Sequence, residues 1–440
     1  MKGGVKILII TLIILEIFLY EWGIFEIGVI APIAYALKTC IPFFLGGIAL
    51  LNIDARLPKY FVGYLSLFLL FSAVTLVACL LSSQFNESIT QFIKIIPPRL
   101  FFIFSLCVLL YNYPDLILAL NKVLFVIAVF TFFQHILAVL YVQSHPFEET
   151  SLISESRGIN FAGPMGLFGN INTQSAIFDV QYLRLTGFWL EPSNASGYMM
   201  SCFFLAKFVK AKEGTGIFKG IFYVLPLIGC MLCLSNVGYL TLAVSLCTFV
   251  LLSNRNPAVG FVKILPFILI LLSGLMGREL VYTFFPDNDY LKLVVGLRST
   301  DASSEVDFSD GRIGNYKTNF TKAVREPFGI GLRIPGENNS GGGDNTASAS
   351  AFFYLLVTTG FLGLVIILCL KFIVIGTVIS RRAYINLKKR RLLIFMFSAW
   401  LCVTVQNLVY GTWMSPYYYY LAIASIVLFS HIRNEKNEFV

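Results

Sequence analysis

SDGRIGNYKTNFTKAVREPFGIGLRIPGENNSGGGDNTASASAFFYLLVTTGFLG, residues 309–363, is almost the only polar sequence of any length in this chain, and it runs directly into an apolar helix. It opens with Gly311-Arg312, passes a Pro327-Phe-Gly-Ile-Gly331 turn and the run Gly341-Gly-Gly-Asp344-Asn345, and closes on Gly360-Phe-Leu-Gly363. Cations, an acid and flexible glycines thus meet at the edge of something apolar. The rest of the chain says what that is. Of 440 residues, 57% are hydrophobic and 13% charged, and the mean hydropathy is +0.78, a balance that a water-facing surface does not tolerate. The chain reads as an all-α, polytopic integral membrane protein.

Roughly 30 Å of hydrocarbon takes about 20 apolar residues to cross. Spans are expected near 7–20, 28–51, 60–82, 97–111, 116–142, 187–208, 217–234, 237–252, 261–276, 348–378, 392–411 and 416–432, about twelve in all. Ile7 to Tyr20 has no small-residue cleavage site after it and reads as a retained span rather than a signal peptide. Lys38 and Pro42 interrupt the second span, leaving one crossing or two half-helices open. The basic groups at Lys2 and Lys6, Arg56 and Lys59, Lys207 to Lys212, Arg255 and Lys263, and Arg381 to Arg391 all fall on the cytoplasmic side if about twelve crossings occur. Both termini are then cytoplasmic. The formal charge of +9 is accordingly a topology signal and not a nucleic-acid footprint. Trp413 and Tyr417 to Tyr420 are expected at the outer interface as part of an aromatic belt, or lining a groove.

The same parity puts two long loops outside, about 143–184 and 277–347, and loops of such length are functional or disordered. Phe161, Met165, Leu167, Phe168, Ile171 and Ile177 in the first, and an amphipathic helix from about Ile313 to Val324 before Pro327 in the second, argue for folded caps built of short helices, without strands. No internal repeat is visible, so residues 1–440 read as a single membrane domain. All nine cysteines lie in apolar segments, which argues against disulfides, and Cys230-Met-Leu-Cys233 reads as helix packing.

Arg184-Leu-Thr-Gly187-Phe-Trp-Leu-Glu191-Pro192 is an unusually polar opening for the sixth span. Glu191 is about two turns from Arg184, and an ionisable group at membrane depth either works on a ligand or pairs with a neighbour. Arg99 at the mouth of the fourth span, Arg157, Arg184, Arg278, Arg298, Arg312, Arg325 and Arg333 are all expected on the outer side. A guanidinium offers a planar fork matched to phosphate oxygens, and Arg184 and Arg312 stand out because nearby glycines permit close approach. Asp344-Asn345, just before the tenth span, presents either a general base or a helix N-cap. Asp287-Asn-Asp289 is too short a motif to imply a metal, and His135, His145 and His431 lack ligand spacing.

In their order, Gly311-Arg312-x-x-x-Tyr316, Pro327 to Gly331, Asp344-Asn345 and Gly360-x-x-Gly363, with Arg184-x-x-Gly187 and Glu191-Pro192 upstream, resemble the bacterial O-antigen polymerase and ligase superfamily. Ligases of that superfamily place a histidine before the asparagine, where this chain has Asp344, so the resemblance favours the polymerase branch. It implies transfer of a growing glycan from undecaprenyl pyrophosphate onto a second lipid-linked repeat unit, at the periplasmic face of the bacterial inner membrane. No cofactor, metal or nucleic acid is implied; the partners are lipid-linked donor and acceptor, the bilayer and a chain-length regulator. Carried onto this chain, Arg184, Arg312, Arg157, Arg333, Tyr316 and Asn345 would bind pyrophosphate and substrate, with Asp344 or Glu191 as catalytic base. A ligase acting on the lipid A core, and a flippase for lipid-linked oligosaccharide, are the competing expectations.

Overall fold

The computed structural model describes residues 3–22, 25, 30–53, 57–144, 152–154, 159–162, 168–170, 172–177, 180–189, 191–214, 220–233, 235–254, 259–265, 312–332, 350–380, 387–409 and 414–434. The helices are α1 (Gly3–Glu21), α2 (Ala31–Leu50), α3 (Lys59–Leu80), α4 (Phe85–Asn112), α5 (Asp115–Ser144), α6 (Pro192–Glu213), α7 (Leu225–Leu232) and α8 (Asn236–Ser253). After them come α9 (Arg312–Arg325), α10 (Ala351–Ile379), α11 (Leu387–Val409) and α12 (Pro416–Asn434). Among the described residues, six helices, α1 to α5 and α10, are long and apolar enough to cross a membrane by length and composition.

α2 is one helix, with Pro42 inside it. The span expected at 217–234 is instead a 3-10 turn, Gly220–Tyr223, followed by the eight-residue α7, which covers only about 12 Å at 1.5 Å per residue. Pro226 in its first turn starts this helix afresh. Of the stretch expected at 261–276, only residues up to 265 are described.

The least exposed helices are not the most apolar. Tyr417 to Tyr420 of α12 are 0–5% exposed, so the tyrosine run belongs to the interior and not to an interfacial belt. α11 packs against α6, α8 and α12. Small residues carry these contacts: a Cβ at Gly197 of α6 would overlap Gln406 of α11, and one at Gly238 of α8 would crowd Ser196 of α6. Close approach of backbones with hydroxyls between them is how helices pack where neighbouring lipid is as apolar as they are. Ser201 and Tyr417 hydroxyls hydrogen-bond across α6 and α12.

The first loop departs from its expected helices. Strands β1 (Leu152–Ser154), β2 (Ile159–Ala162) and β3 (Gly169–Asn170) form an antiparallel sheet in that order, and β4 (Asn172–Ile177) pairs with β5 (Val180–Arg184) as a hairpin. Val180-Gln-Tyr-Leu-Arg184 carries a β-branched and an aromatic residue, which suit a pleated strand. Its backbone groups then find partners locally, as any folded cap requires. Asn172 stands opposite Arg184 in the hairpin.

Candidate functional site

α10 is two helices joined at a break. Gly360 inside it has φ 70° and ψ −174°, a conformation that side-chain-bearing residues rarely take. The backbone groups released there are taken up by the Pro327–Gly331 turn. Ile330 N donates to the Val357 carbonyl at 3.0 Å, Gly331 N to that of Thr358 at 3.1 Å, and Phe361 N donates back to the Pro327 carbonyl at 3.2 Å. A Cβ at Gly360 would strike the Pro327 carbonyl oxygen, and one at Gly329, φ 87°, the Thr358 carbonyl oxygen. Each motif therefore needs glycine because the other lies against it.

The turn is also held from its far side. Ser82 Oγ donates to the Ile330 carbonyl at 2.6 Å and accepts from Ser88 Oγ at 3.0 Å. Leu332 N donates to Cys79 Sγ at 3.5 Å. Residues 327–332 are thus clasped between the break in α10 and the turn joining α3 to α4. Irregular backbone persists in an apolar bundle only where protein satisfies it or where it lines a cavity. Helix α9 leads into this clasp and packs on α10, with Asn319 and Ala323 buried and Phe320 edge-on to Phe361 at 6.5 Å.

Charge enters the bundle elsewhere. Arg99 does not lie at a span mouth: α4 begins fourteen residues earlier, at Phe85. Its side chain is 1% exposed and its Nη1 is 3.4 Å from Oε1 of Glu16, which is 0% exposed on α1. The Arg99 guanidinium carbon sits 4.2 Å from the centroid of Tyr20, and Lys38 Nζ is 5.1 Å from the same ring. Glu21 accepts a short hydrogen bond from Ser415 at the start of α12. Glu16 Oε2 and Arg99 Nε and Nη2 are buried without a hydrogen-bond partner among the described residues. So incompletely paired a charge cluster costs several kcal/mol per ion before the partners' attraction is counted.

Among the residues expected to act, Arg184 ends β5, and its Nε donates to the Cys233 carbonyl at 3.1 Å. Leu185 N donates to the Leu232 carbonyl at 3.0 Å beside it. The span expected from residue 187 begins as a helix only after Glu191, which is its extended N-cap residue, and Pro192 opens α6. Ser193 Oγ donates to Glu191 Oε2 at 3.4 Å. Arg312 and Tyr316 stand one turn apart in the backbone of α9. Arg157, Arg333, Asp344 and Asn345 lie outside the described residues, as do Asp287, Asp289, Trp413 and His145.

The sequence reading missed Glu16 and Lys371. The signal was present in each case: a lone carboxylate in Ile7 to Tyr20, and a lone lysine in Ala351–Ile379. No protein-family model and no curated protein sequence matches the chain.

Proposed function

We propose that this protein is a membrane-embedded glycan polymerase that moves a growing chain from a polyprenyl-pyrophosphate carrier onto a second lipid-linked repeat unit. One observation carries the reading: the two glycine motifs of the resemblance, separated by about thirty residues of sequence, interlock backbone to backbone at the broken helix α10. Discontinuous helices buried in a bundle are places where membrane proteins put substrate sites. Arg333, Asp344 and Asn345 fall in the sequence between the clasped turn and α10, and Arg312 and Tyr316 belong to α9, the helix that leads into that turn and packs on α10.

In this reading about twelve crossings set the clasp at the periplasmic face of a bacterial inner membrane. Arg184, Arg312, Arg157 and Arg333 hold the carrier pyrophosphate through bidentate contacts. The acceptor hydroxyl attacks the anomeric carbon of the donor glycan, its proton passes to the carboxylate of Asp344, and the carrier pyrophosphate leaves with the electrons of the broken C–O bond. Glu191, at the start of α6, is the alternative base.

The test is a gene deletion in a host that makes the polysaccharide. Lipopolysaccharide carrying a single repeat unit is the expected result; lipopolysaccharide with none would replace this reading by a ligase or a flippase. In purified enzyme, Asp344→Asn should lower polymerisation by about 10² to 10⁴. A loss below about threefold moves the base to Glu191.

A further inference from the structure

About three turns beyond the break, α10 has a second polar feature that the clasp does not use. Lys371 lies well inside α10, eleven residues beyond Gly360, with its Nζ 6.0 Å from the ring centroid of Tyr418. It lines an interior cavity with Tyr64 of α3, Asn407 of α11, and Tyr418 and Tyr419 of α12. Among the described residues no carboxylate pairs with it. Tyr64 is 0% exposed and its hydroxyl is buried without a hydrogen-bond partner among the described residues. Asn407 is also buried. An unpaired ammonium inside a membrane helix costs at least a few kcal/mol, and such groups are kept where they meet a ligand. Three elements therefore contribute a cation, an orphaned hydroxyl and an amide to one space.

We propose that Lys371, Tyr64 and Asn407 form a binding subsite for the phosphate head of a lipid. The cavity volume, ≈ 30 Å³, corresponds to on the order of two water molecules, room for one or two oxygens of an anionic head and too little for a sugar ring. Lysine binds such an anion as a point charge, with the hydroxyl and the amide as added donors. The remaining walls, among them Phe352, Leu355 and Leu368 of α10, are apolar, so a hydrocarbon tail attached to the anion would leave the cavity along apolar side chains. Phe372, the residue after Lys371, is 65% exposed, so this stretch of α10 adjoins the apolar surround. A ligand that brings its own apolar chain crosses that surround at less cost than a free ion. The subsite rests on this geometry alone, and the glycan-transfer reading enters only in making a lipid phosphate a natural occupant.

The experiment titrates the full-length protein, delipidated in a neutral maltoside detergent, with dodecyl phosphate, dodecanol and inorganic phosphate, reading binding by native mass spectrometry. Dodecyl phosphate should bind saturably, and Lys371→Met should weaken it about tenfold, as expected for removing a charged partner. Tyr64→Phe, which deletes only the orphaned hydroxyl, should weaken it about threefold. Dodecanol should bind both variants and the wild type alike. Unchanged dodecyl phosphate affinity in Tyr64→Phe overturns the subsite even if Lys371→Met fails to fold. Inorganic phosphate binding as tightly as dodecyl phosphate would overturn the lipid source. Asp344→Asn should leave dodecyl phosphate binding intact, so that failure of the subsite and failure of the polymerase reading are separate results.

Discussion

Helices α1 and α4 bring polarity into the bundle as side-chain charge, the Glu16–Arg99 pair, whereas α10 brings it in as backbone, the break at Gly360 closed by residues 327–331. The two differ in what can be removed. A charged side chain can be exchanged for an apolar one, so its partner becomes the problem only when it is left behind. Peptide groups cannot be exchanged, and at the clasp the amides of Ile330, Gly331 and Phe361 are already hydrogen-bonded. The fit there is steric, glycine against carbonyl, and depends on both chains keeping their course. Charge in this molecule is therefore replaceable in pairs, and the clasp is not.

The largest effect expected from this difference is at the ion pair. Arg99→Met strands Glu16 at 0% exposure and should destabilise the protein by roughly 3–5 kcal/mol. Adding Glu16→Met should restore most of that loss, because the native pair is under-satisfied, with Glu16 Oε2 and two Arg99 nitrogens lacking partners among the described residues. A double-mutant cycle on thermal unfolding in detergent measures the coupling. A harmless Arg99→Met would show that the two charges do not depend on each other.

Next comes the clasp. Gly360→Ala forces a Cβ onto the Pro327 carbonyl and an alanine into φ 70°, at a cost of roughly 2–4 kcal/mol. Here no second substitution should rescue: adding Gly329→Ala introduces another collision, with the Thr358 carbonyl. The same unfolding assay distinguishes the two regions. If the Gly329→Ala/Gly360→Ala pair were as stable as Gly360→Ala alone, the clasp would already be open, and the contrast with the ion pair would fail.

Much of the helical frame was legible in advance, since apolar runs of about 20 residues have one reading in any chain of this composition. The helix at Arg312–Arg325 was legible too, because Ile313, Tyr316, Phe320 and Ala323 follow one another at intervals of three and four before Pro327. What escaped depended on partners far away in sequence. Glu16 reads as an oddity until Arg99 is beside it, 83 residues on. Arg99 reads as a mouth residue until α4 is seen to begin at Phe85. The tyrosines of α12 look amphipathic and interfacial, yet their hydroxyls find Ser201 on α6 and Asn121 on α5, which only a packed bundle supplies. In the candidate site, the order of the glycine motifs was visible, but that Gly329 and Gly360 face each other was not, because backbone contacts carry no side-chain signature.

The smallest expected effect tests whether the clasp is held chiefly by its glycine contacts or by the seat under it. Ser82 Oγ sits between two partners, donating to the Ile330 carbonyl and accepting from Ser88. It also accepts from the Gln84 amide at 3.2 Å. Ser82→Ala removes the donor from a buried carbonyl but leaves Ile330 N bonded to Val357 and Gly331 N to Thr358. The loss should be about 1 kcal/mol, the net worth of one such bond. Ser88→Ala should cost less, since the Ser88 hydroxyl donates to Ser82 and not to a carbonyl of the turn. Hydrogen exchange resolves the point locally: the Ile330 and Gly331 amides should exchange about fivefold faster in Ser82→Ala, the factor corresponding to about 1 kcal/mol. Exchange as fast as in Gly360→Ala would mean that the α3–α4 turn, and not the paired glycines, keeps the segment in the bundle. The two polar regions would then be alike, each resting on side-chain partners.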